Sequence, residues 1–171
     1  MTLTEPKIEK EEIIKLDDPA FNSDNVCIVT GAATGIGRST SVAAAANGLT
    51  VVGLDINESE GVVTAGIAKE FGGKMIFLKT DITNDDEIKN AVNKASEEGN
   101  IRYLANIAGI QHISSIDQFP MEKYDYMHRL MLRAPFLLSQ LTIPHMKKNS
   151  DGVGVIGHMA SIHAHICTAY K

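Results

Sequence analysis

The sequence predicts an α/β fold in which a parallel sheet lies between two layers of helices. Segments of strand character and segments of helix character alternate from residue 25 onward, as a parallel sheet requires. A glycine-rich turn, with Gly31, Gly35 and Gly37, separates the first strand from the first helix. At 171 residues, the chain is long enough for one well-buried domain and short for two. Together these observations favour a Rossmann-like, doubly wound parallel sheet in a three-layer α/β/α arrangement.

Most boundaries of the predicted elements carry a physical signal. Glycine readily adopts the backbone conformation that ends a helix, and glycines follow the first three helices, at Gly48, Gly72-Gly73 and Gly99. Thr83 is expected to cap the third helix, whose first turn is acidic. Pro135 is expected to bend or loosen the fourth. The predicted strands are 26–30, 50–55, 75–79, 101–106 and 153–159, and the predicted helices are 36–47, 59–71, 84–98 and 121–148.

Residues 1–24 are expected to form an N-terminal extension to a domain at 25–171. The extension is charged, and its short apolar cluster at 13–16 is followed by the helix-breaking sequence Asp-Asp-Pro at 17–19. Such a segment favours a solvated tail over a docking element for a partner subunit.

Composition and charge argue against several classes of protein. The formal net charge of −5 and the lack of a basic stripe argue against nucleic-acid binding. The sequence has no apolar run that could span a bilayer and no signal-like start, so we expect no membrane association and a cytoplasmic location. Cys27 and Cys167 are far apart, which indicates two plain thiols rather than a redox pair or a disulfide framework.

The glycine-rich turn is expected to cradle a pyrophosphate. It follows the apolar strand and opens an alanine-rich helix, so glycine backbone can approach the ligand, and helix N–H groups can meet its charge. The alternative is that the glycines serve tight packing alone. The expected contacts are Gly31, Thr34, Gly35, Ile36 and Gly37.

Asp55 ends the second strand about 20 residues beyond this turn, where an acidic side chain can accept both ribose hydroxyls of an adenosine. A 2′-phosphate would be repelled by Asp55, and neither Ala32 nor Ala33 supplies a compensating cation. NAD is therefore favoured over NADP. The alternative is an ordinary surface aspartate at a strand end.

The spacing Thr-Gly-x-x-x-Gly-Ile-Gly at 30–37 resembles that of the short-chain dehydrogenase/reductase family, and Asn-Ile-Ala-Gly at 106–109 resembles the Asn-Asn-Ala-Gly of that family. The resemblance covers roughly residues 25–171 and implies a Rossmann-like NAD-binding domain that is incomplete at the C-terminus. It also implies that Asp81 hydrogen-bonds the adenine. Asn106, Ala108 and Gly109 would lie at the nicotinamide ribose.

The resemblance also implies catalytic residues for hydride transfer between nicotinamide and a secondary alcohol. Ser161 corresponds to a serine that polarises the substrate oxygen, and Tyr170 to a tyrosine that handles the hydroxyl proton. In the family, a lysine one helical turn after the tyrosine lowers the tyrosine pKa, and that position falls beyond Lys171. Two further departures are Met131, which replaces an asparagine of the family's proton relay, and a Ser161 to Tyr170 spacing shorter than usual.

Gln111 and His163 resemble residues of the 3-hydroxybutyrate dehydrogenases, where they bind the substrate carboxylate. The expected partner is therefore a small hydroxy acid or ketone, with 3-hydroxybutyrate or acetoacetate as the best candidate. Two alternatives stay open: a ketoreductase acting on an acyl thioester or another carbonyl, and a catalytically silent NAD-binding protein. The run His163-x-His165-x-Cys167 lacks a fourth ligand, so no metal site is expected. Family members assemble through the helix at 121–148, which implies a homodimer or homotetramer.

Overall fold

The order of the strands determines where the sheet can bind a ligand. The structure is a computed structural model and describes residues 6–166. The strands are β1 Asn25–Thr30, β2 Thr50–Asp55, β3 Lys74–Lys79, β4 Asn100–Asn106 and β5 Val155–His158, the last being shorter than predicted. In the described range they form one parallel sheet in the order β3-β2-β1-β4-β5. The chain thus runs outward from β1 to β3 and returns to the other side of β1, which creates a topological switch point at the carboxyl ends of β1 and β4.

Helices cover both faces of this sheet. The bounds are α1 Gly35–Ala46, α2 Glu58–Glu70, α3 Asp85–Glu97, α4 Met121–His128 and α5 Ala134–Met146. Side chains of α1 and α2 pack into one apolar core, and side chains of α3 and α5 pack into another. The doubly wound, three-layer arrangement expected from the sequence is therefore confirmed. No helix within residues 6–166 is both long and apolar enough to cross a membrane.

The central strand β1 contributes to both cores. Successive side chains of a strand point to opposite faces. Val26 and Ile28 pack in the core formed with α3 and α5, whereas Cys27 and Val29 pack in the core formed with α1 and α2. All six residues of β1 are buried, as expected for a parallel strand covered on both sides.

The helix predicted over 121–148 is divided in two. A π-helical turn at Arg129–Arg133 separates α4 from α5, and within it the N–H of Ala134 donates to the carbonyl of Arg129. Pro135 accounts for this break, because proline has no N–H and its ring crowds the carbonyl four residues earlier. The wider turn gives that ring room and places Met131 beside Gly109.

The N-terminal segment packs against the end of α1. Asn47 Nδ2 donates to the carbonyl of Ile14 at 3.0 Å, and its Oδ1 accepts from the N–H of Leu16 at 2.8 Å. Lys15 Nζ donates to the carbonyl of Ala46, the last residue of α1. Ile8 and Ile13 pack against the core on the α1 side of the sheet. The expectation of a solvated tail is therefore wrong for this part of the extension.

Candidate functional site

A cavity of about 380 Å³ opens at the carboxyl ends of the strands, beside the switch point. Eight of the residues predicted to bind cofactor line it: Gly31, Thr34, Ile36, Gly37, Asp55, Asp81, Ala108 and Gly109. Gly35, the first residue of α1, and Asn106 do not line this cavity. The structure therefore brings together most of a set of residues that is spread over about half of the chain.

Close backbone contacts explain two of the glycines. Gly31 has a φ of +70°, and a Cβ on it would lie 2.9 Å from the Cα of Ala108. A Cβ on Gly37 would lie 1.9 Å from the carbonyl oxygen of Gly31. No side chain larger than that of glycine fits at Gly31 or Gly37 without displacing backbone. The backbone of this turn is therefore open to close approach by a ligand. Thr34, Ile36 and Gly37 line the cavity, so the N-terminus of α1 lies at its wall, an arrangement that suits an anion.

Backbone hydrogen bonds fix the carboxylate of Asp55. Its Oδ2 accepts from the N–H of Ala33 at 3.1 Å, and its Oδ1 accepts from the N–H of Asn57 at 2.9 Å. Each carboxylate oxygen can accept a further hydrogen bond, so the side chain can still bind two hydroxyl groups. The described residues that line the cavity include no lysine or arginine.

Asp81 lies on the cavity wall in a local turn. Its Oδ1 accepts from both the N–H and the hydroxyl of Thr83, at 2.8 and 2.7 Å. The prediction that Thr83 caps α3 is therefore wrong, because its hydroxyl is occupied by Asp81. Asn84 is the cap, and its Oδ1 accepts from the N–H groups of Asp86 and Glu87.

Thr30 holds the segment after β4 against the glycine turn. Its Oγ1 accepts from the N–H groups of Ile107 and Ala108, at 3.0 and 3.1 Å. Thr30 was not among the predicted site residues, although its place directly before the first glycine of the turn was a usable signal. The side chain of Asn106 points elsewhere: its Nδ2 lies 3.4 Å from His158 Nδ1, and its buried Oδ1 has no hydrogen-bond partner among the described residues.

A second cavity, of about 770 Å³, adjoins the first and shares Ile110 with it. Gln111, Ser161 and His163 line it, and Ser161 Oγ lies 3.2 Å from His163 Nδ1. The rest of its wall is largely apolar, with Ile110, Ile116, Phe119, Met127 and Met131. Three of the residues predicted to act on substrate therefore share one cavity. Tyr170, the fourth, lies outside the described residues.

Possible metal ligands and one of the two thiols can be described within residues 6–166. In that range, no group of three or more His, Cys, Asp or Glu side chains is arranged to hold a metal ion. Cys167, the third member of the His-x-His-x-Cys run, lies outside it. Burial raises the pKa of the Cys27 thiol to about 12, so this thiol stays protonated and is a poor nucleophile.

The parallel sheet with a cavity at its switch point has the architecture of Rossmann-type folds, in which ligands bind outside the carboxyl ends of the strands. The model of the short chain dehydrogenase family matches residues 25–169. The chain belongs to the short-chain dehydrogenase family, as the motif resemblance implies.

Named relatives in this family act on different substrates. The chain is 32% identical to 3-oxoacyl-[acyl-carrier-protein] reductase FabG of Thermotoga maritima over 128 residues, which cover 74% of this chain and 52% of that protein. It is 34% identical to the 7alpha-hydroxysteroid dehydrogenase of Escherichia coli K12 over 140 residues, which cover 78% of this chain and 54% of that enzyme. A solved structure of 7 alpha-hydroxysteroid dehydrogenase, complexed with NADH and 7-oxo glycochenodeoxycholic acid, matches with a TM-score of 0.81 and 29% identity. That match covers 88% of this chain and 58% of the solved chain. The chain thus spans about half the length of the curated relatives it matches.

Proposed function

We propose that this chain binds NAD and that the whole protein is an oxidoreductase, which transfers a hydride between nicotinamide and a small secondary alcohol or ketone. The observation that carries the proposal is the switch-point cavity, where a glycine turn, the N-terminus of α1 and the carboxylate of Asp55 come together. Membership of the short-chain dehydrogenase family supports the same reaction class.

Each part of the cavity suits one part of the dinucleotide. The turn at Gly31 and Gly37 leaves room for a diphosphate, and the first N–H groups of α1 donate to it. Asp55 accepts hydrogen bonds from the adenosine ribose, and Asp81 would bind the adenine. When bound, the nicotinamide supplies the hydride acceptor or donor. Ala108 and Gly109 have no bulky side chain, so backbone can approach the second ribose.

Asp55 also favours NAD over NADP, because a 2′-phosphate would add charge beside a carboxylate and the described lining supplies no cation. Titration of the protein with NADH and NADPH tests this preference. We expect Asp55→Ala to weaken NADH binding about tenfold or more, because a charge-assisted hydrogen bond is lost, and to reduce the discrimination against NADPH. Glu58→Gln, a change to an exposed carboxylate nearby, is the matched control. Equal binding of the two coenzymes by the unaltered protein would contradict the preference for NAD.

Ser161, in the second cavity, would polarise the substrate oxygen. The hydroxyl proton would be taken by Tyr170 as the hydride leaves. Gln111 and His163 would bind the carboxylate of 3-hydroxybutyrate or acetoacetate. We expect Gln111→Ala to raise KM for 3-hydroxybutyrate about tenfold and to leave KM for an uncharged secondary alcohol unchanged. An equal effect on both substrates would refute a carboxylate-binding role for Gln111.

The apolar walls of the second cavity favour a different substrate, a larger ketone or an acyl thioester. A volume of about 770 Å³ exceeds the needs of a four-carbon acid, and Met127, Met131 and Phe119 offer contacts to an apolar body. Turnover of such carbonyl compounds without turnover of 3-hydroxybutyrate would establish this second candidate.

A catalytically silent NAD-binding protein is the third candidate. Met131 supports it, because a thioether beside Gly109 cannot donate a hydrogen bond to a proton relay. Binding of NADH without turnover of any alcohol or ketone would favour this candidate over both enzymes.

A homodimer or homotetramer is part of the proposal. Large apolar side chains are exposed along α4, the π turn and α5, including Leu132 (66% exposed) and Phe136 (70% exposed). Such a face suits a subunit contact. Sedimentation analysis should show a smaller species for Phe136→Glu than for the unaltered protein, and an unaltered protein that sediments as a monomer would contradict the assembly.

A further inference from the structure

Arg38 is the only charged residue among those buried in the described part of the chain. It lies in the first turn of α1, but its side chain does not line the switch-point cavity. Burying a guanidinium group is costly unless the group is paired and hydrogen-bonded. The contacts of Arg38 therefore indicate what this buried charge stabilises.

The guanidinium group of Arg38 binds the backbone of the glycine turn itself. Its Nε lies 2.9 Å from the carbonyl oxygen of Ala33 and 3.0 Å from Thr64 Oγ1. Thr64 is fully buried, and its Oγ1 lies 3.0 Å from the same carbonyl oxygen. Nη2 forms an ion pair with Glu60 of α2. Arg38 of α1 and Thr64 of α2 thus both lie within hydrogen-bond distance of one backbone carbonyl, and Thr64 Oγ1 also lies 3.0 Å from the carbonyl oxygen of Glu60.

The other side of Ala33 contacts the carboxylate expected to bind ribose. The N–H of Ala33 donates to Asp55 Oδ2 at 3.1 Å. Ala33 itself is fully buried and sits between the two groups. Arg38 and Thr64 therefore contact the carbonyl of the same residue whose N–H donates to the Asp55 carboxylate.

We propose that Arg38 is a positioning residue, which acts through Ala33 to hold the carboxylate of Asp55 in the orientation that accepts the hydroxyl groups of the adenosine ribose. The inference rests on the proposed NAD function. Glu60 balances the charge of Arg38. Arg38 therefore acts on the orientation of the Asp55 carboxylate at the ribose and does not attract the coenzyme through its net charge. Thr64 assists from α2.

The test compares NADH with an NADH analogue that lacks the 2′-hydroxyl of the adenosine ribose. The unaltered protein should bind NADH about tenfold more tightly, because a hydrogen bond to a charged acceptor is lost with the analogue. Arg38→Met keeps an apolar stem of similar length and removes the hydrogen-bond donors. In this variant, the ratio of the affinity for NADH to the affinity for the analogue should fall close to one. Thr64→Val, which removes only the hydroxyl, should reduce the preference by a smaller factor.

Thr142→Val is the matched control, because Thr142 is a fully buried threonine of α5 whose Oγ1 donates to the carbonyl of Leu138. It should leave the preference unchanged. A general loss of stability would weaken both ligands equally and preserve the ratio, which would overturn the positioning role. If Arg38→Met does not fold, Thr64→Val provides the test. An unchanged ratio of the affinities for NADH and the analogue in Thr64→Val would overturn the proposal. An unaltered protein that does not bind NADH refutes the proposed function and this inference with it.

Discussion

Single residues determine the shape of the switch-point cavity, and Gly37 is the glycine there with the least space for a side chain. A Cβ at this position would lie 1.9 Å from the carbonyl oxygen of Gly31, so backbone must move to admit it. We expect Gly37→Ala to weaken NADH binding at least tenfold, since the displaced turn no longer lies flat beneath the diphosphate. Fluorescence titration with NADH measures the change.

Gly66→Ala provides the control for this prediction. A Cβ at Gly66, in the middle of α2, meets no atom within 4 Å, so alanine fits there. This variant should bind NADH normally and unfold at a slightly higher temperature, because alanine favours the helix over glycine by about 1 kcal/mol. Normal NADH binding by Gly37→Ala would show that the turn does not contact the coenzyme.

At the same scale, Cys27 should resist modification. Burial raises the pKa of its thiol to about 12, so almost none of it is thiolate at pH 8. We expect iodoacetamide to leave Cys27 unmodified in the folded protein and to alkylate it in denaturant. Mass spectrometry of the peptide that contains Cys27 separates its labelling from that of Cys167. Rapid labelling of Cys27 in the folded protein would contradict its burial in the core that β1 forms with α1 and α2.

Among the elements, an ion pair joins β4 to the turn before β5. Nη1 and Nη2 of Arg102 donate to Oδ1 and Oδ2 of Asp151, at 3.1 and 2.7 Å. The hydrogen bond from Arg102, followed by that from the N–H of Val153, lowers the pKa of Asp151 from its ordinary 3.8 to about 2. A carboxyl with a lowered pKa stabilises the fold above its unfolded-state pKa, and this stabilisation disappears as the pH falls through the folded-state value.

We therefore expect the free energy of unfolding of the unaltered protein to exceed that of Asp151→Asn near neutral pH. The difference should shrink as the pH falls below about 4 and should disappear as the pH falls through about 2. Denaturant unfolding of both proteins across this range provides the measurement. A difference that stays constant down to pH 2 would mean that the ionised carboxylate does not stabilise this connection.

The contact between the N-terminal segment and α1 leads to a further prediction at this scale. Asn47 bonds to the carbonyl of Ile14, to the N–H of Leu16 and to the carbonyl of Ala43. We expect Asn47→Ala to destabilise the protein by about 1–2 kcal/mol, because several hydrogen bonds at the end of a helix are lost together. Asn93→Ala, a change to an exposed asparagine of α3, should have almost no effect in the same denaturant experiment. Equal stabilities would show that the segment does not support α1.

For the whole molecule, local patterns in the sequence were enough to predict the fold class. The alternation of strands and helices and the glycine turn gave the doubly wound sheet, because each depends on residues close together in the chain. The sequence also indicated Pro135 as a point of weakness, although not that a π-helical turn would replace the helix there.

Contacts between distant residues could not be read in the same way. Arg38 contacts Ala33, which is close in the sequence, and also Glu60 and Thr64, which lie on α2. Only the packing of α1 against α2 brings these residues together. The contact of the N-terminal segment with Asn47 spans more than 30 residues for the same reason. The cap of α3 was misplaced by one residue, because Asp81 competes for the hydroxyl of Thr83.

Calorimetric titration of the folded protein with NADH tests the central claim most directly. The account predicts saturable binding at one site, tighter for NADH than for NADPH, and a marked loss of affinity in Asp55→Ala. A folded protein that releases or absorbs no heat with either coenzyme, at any temperature tried, would contradict the claim that the switch-point cavity binds a nicotinamide dinucleotide.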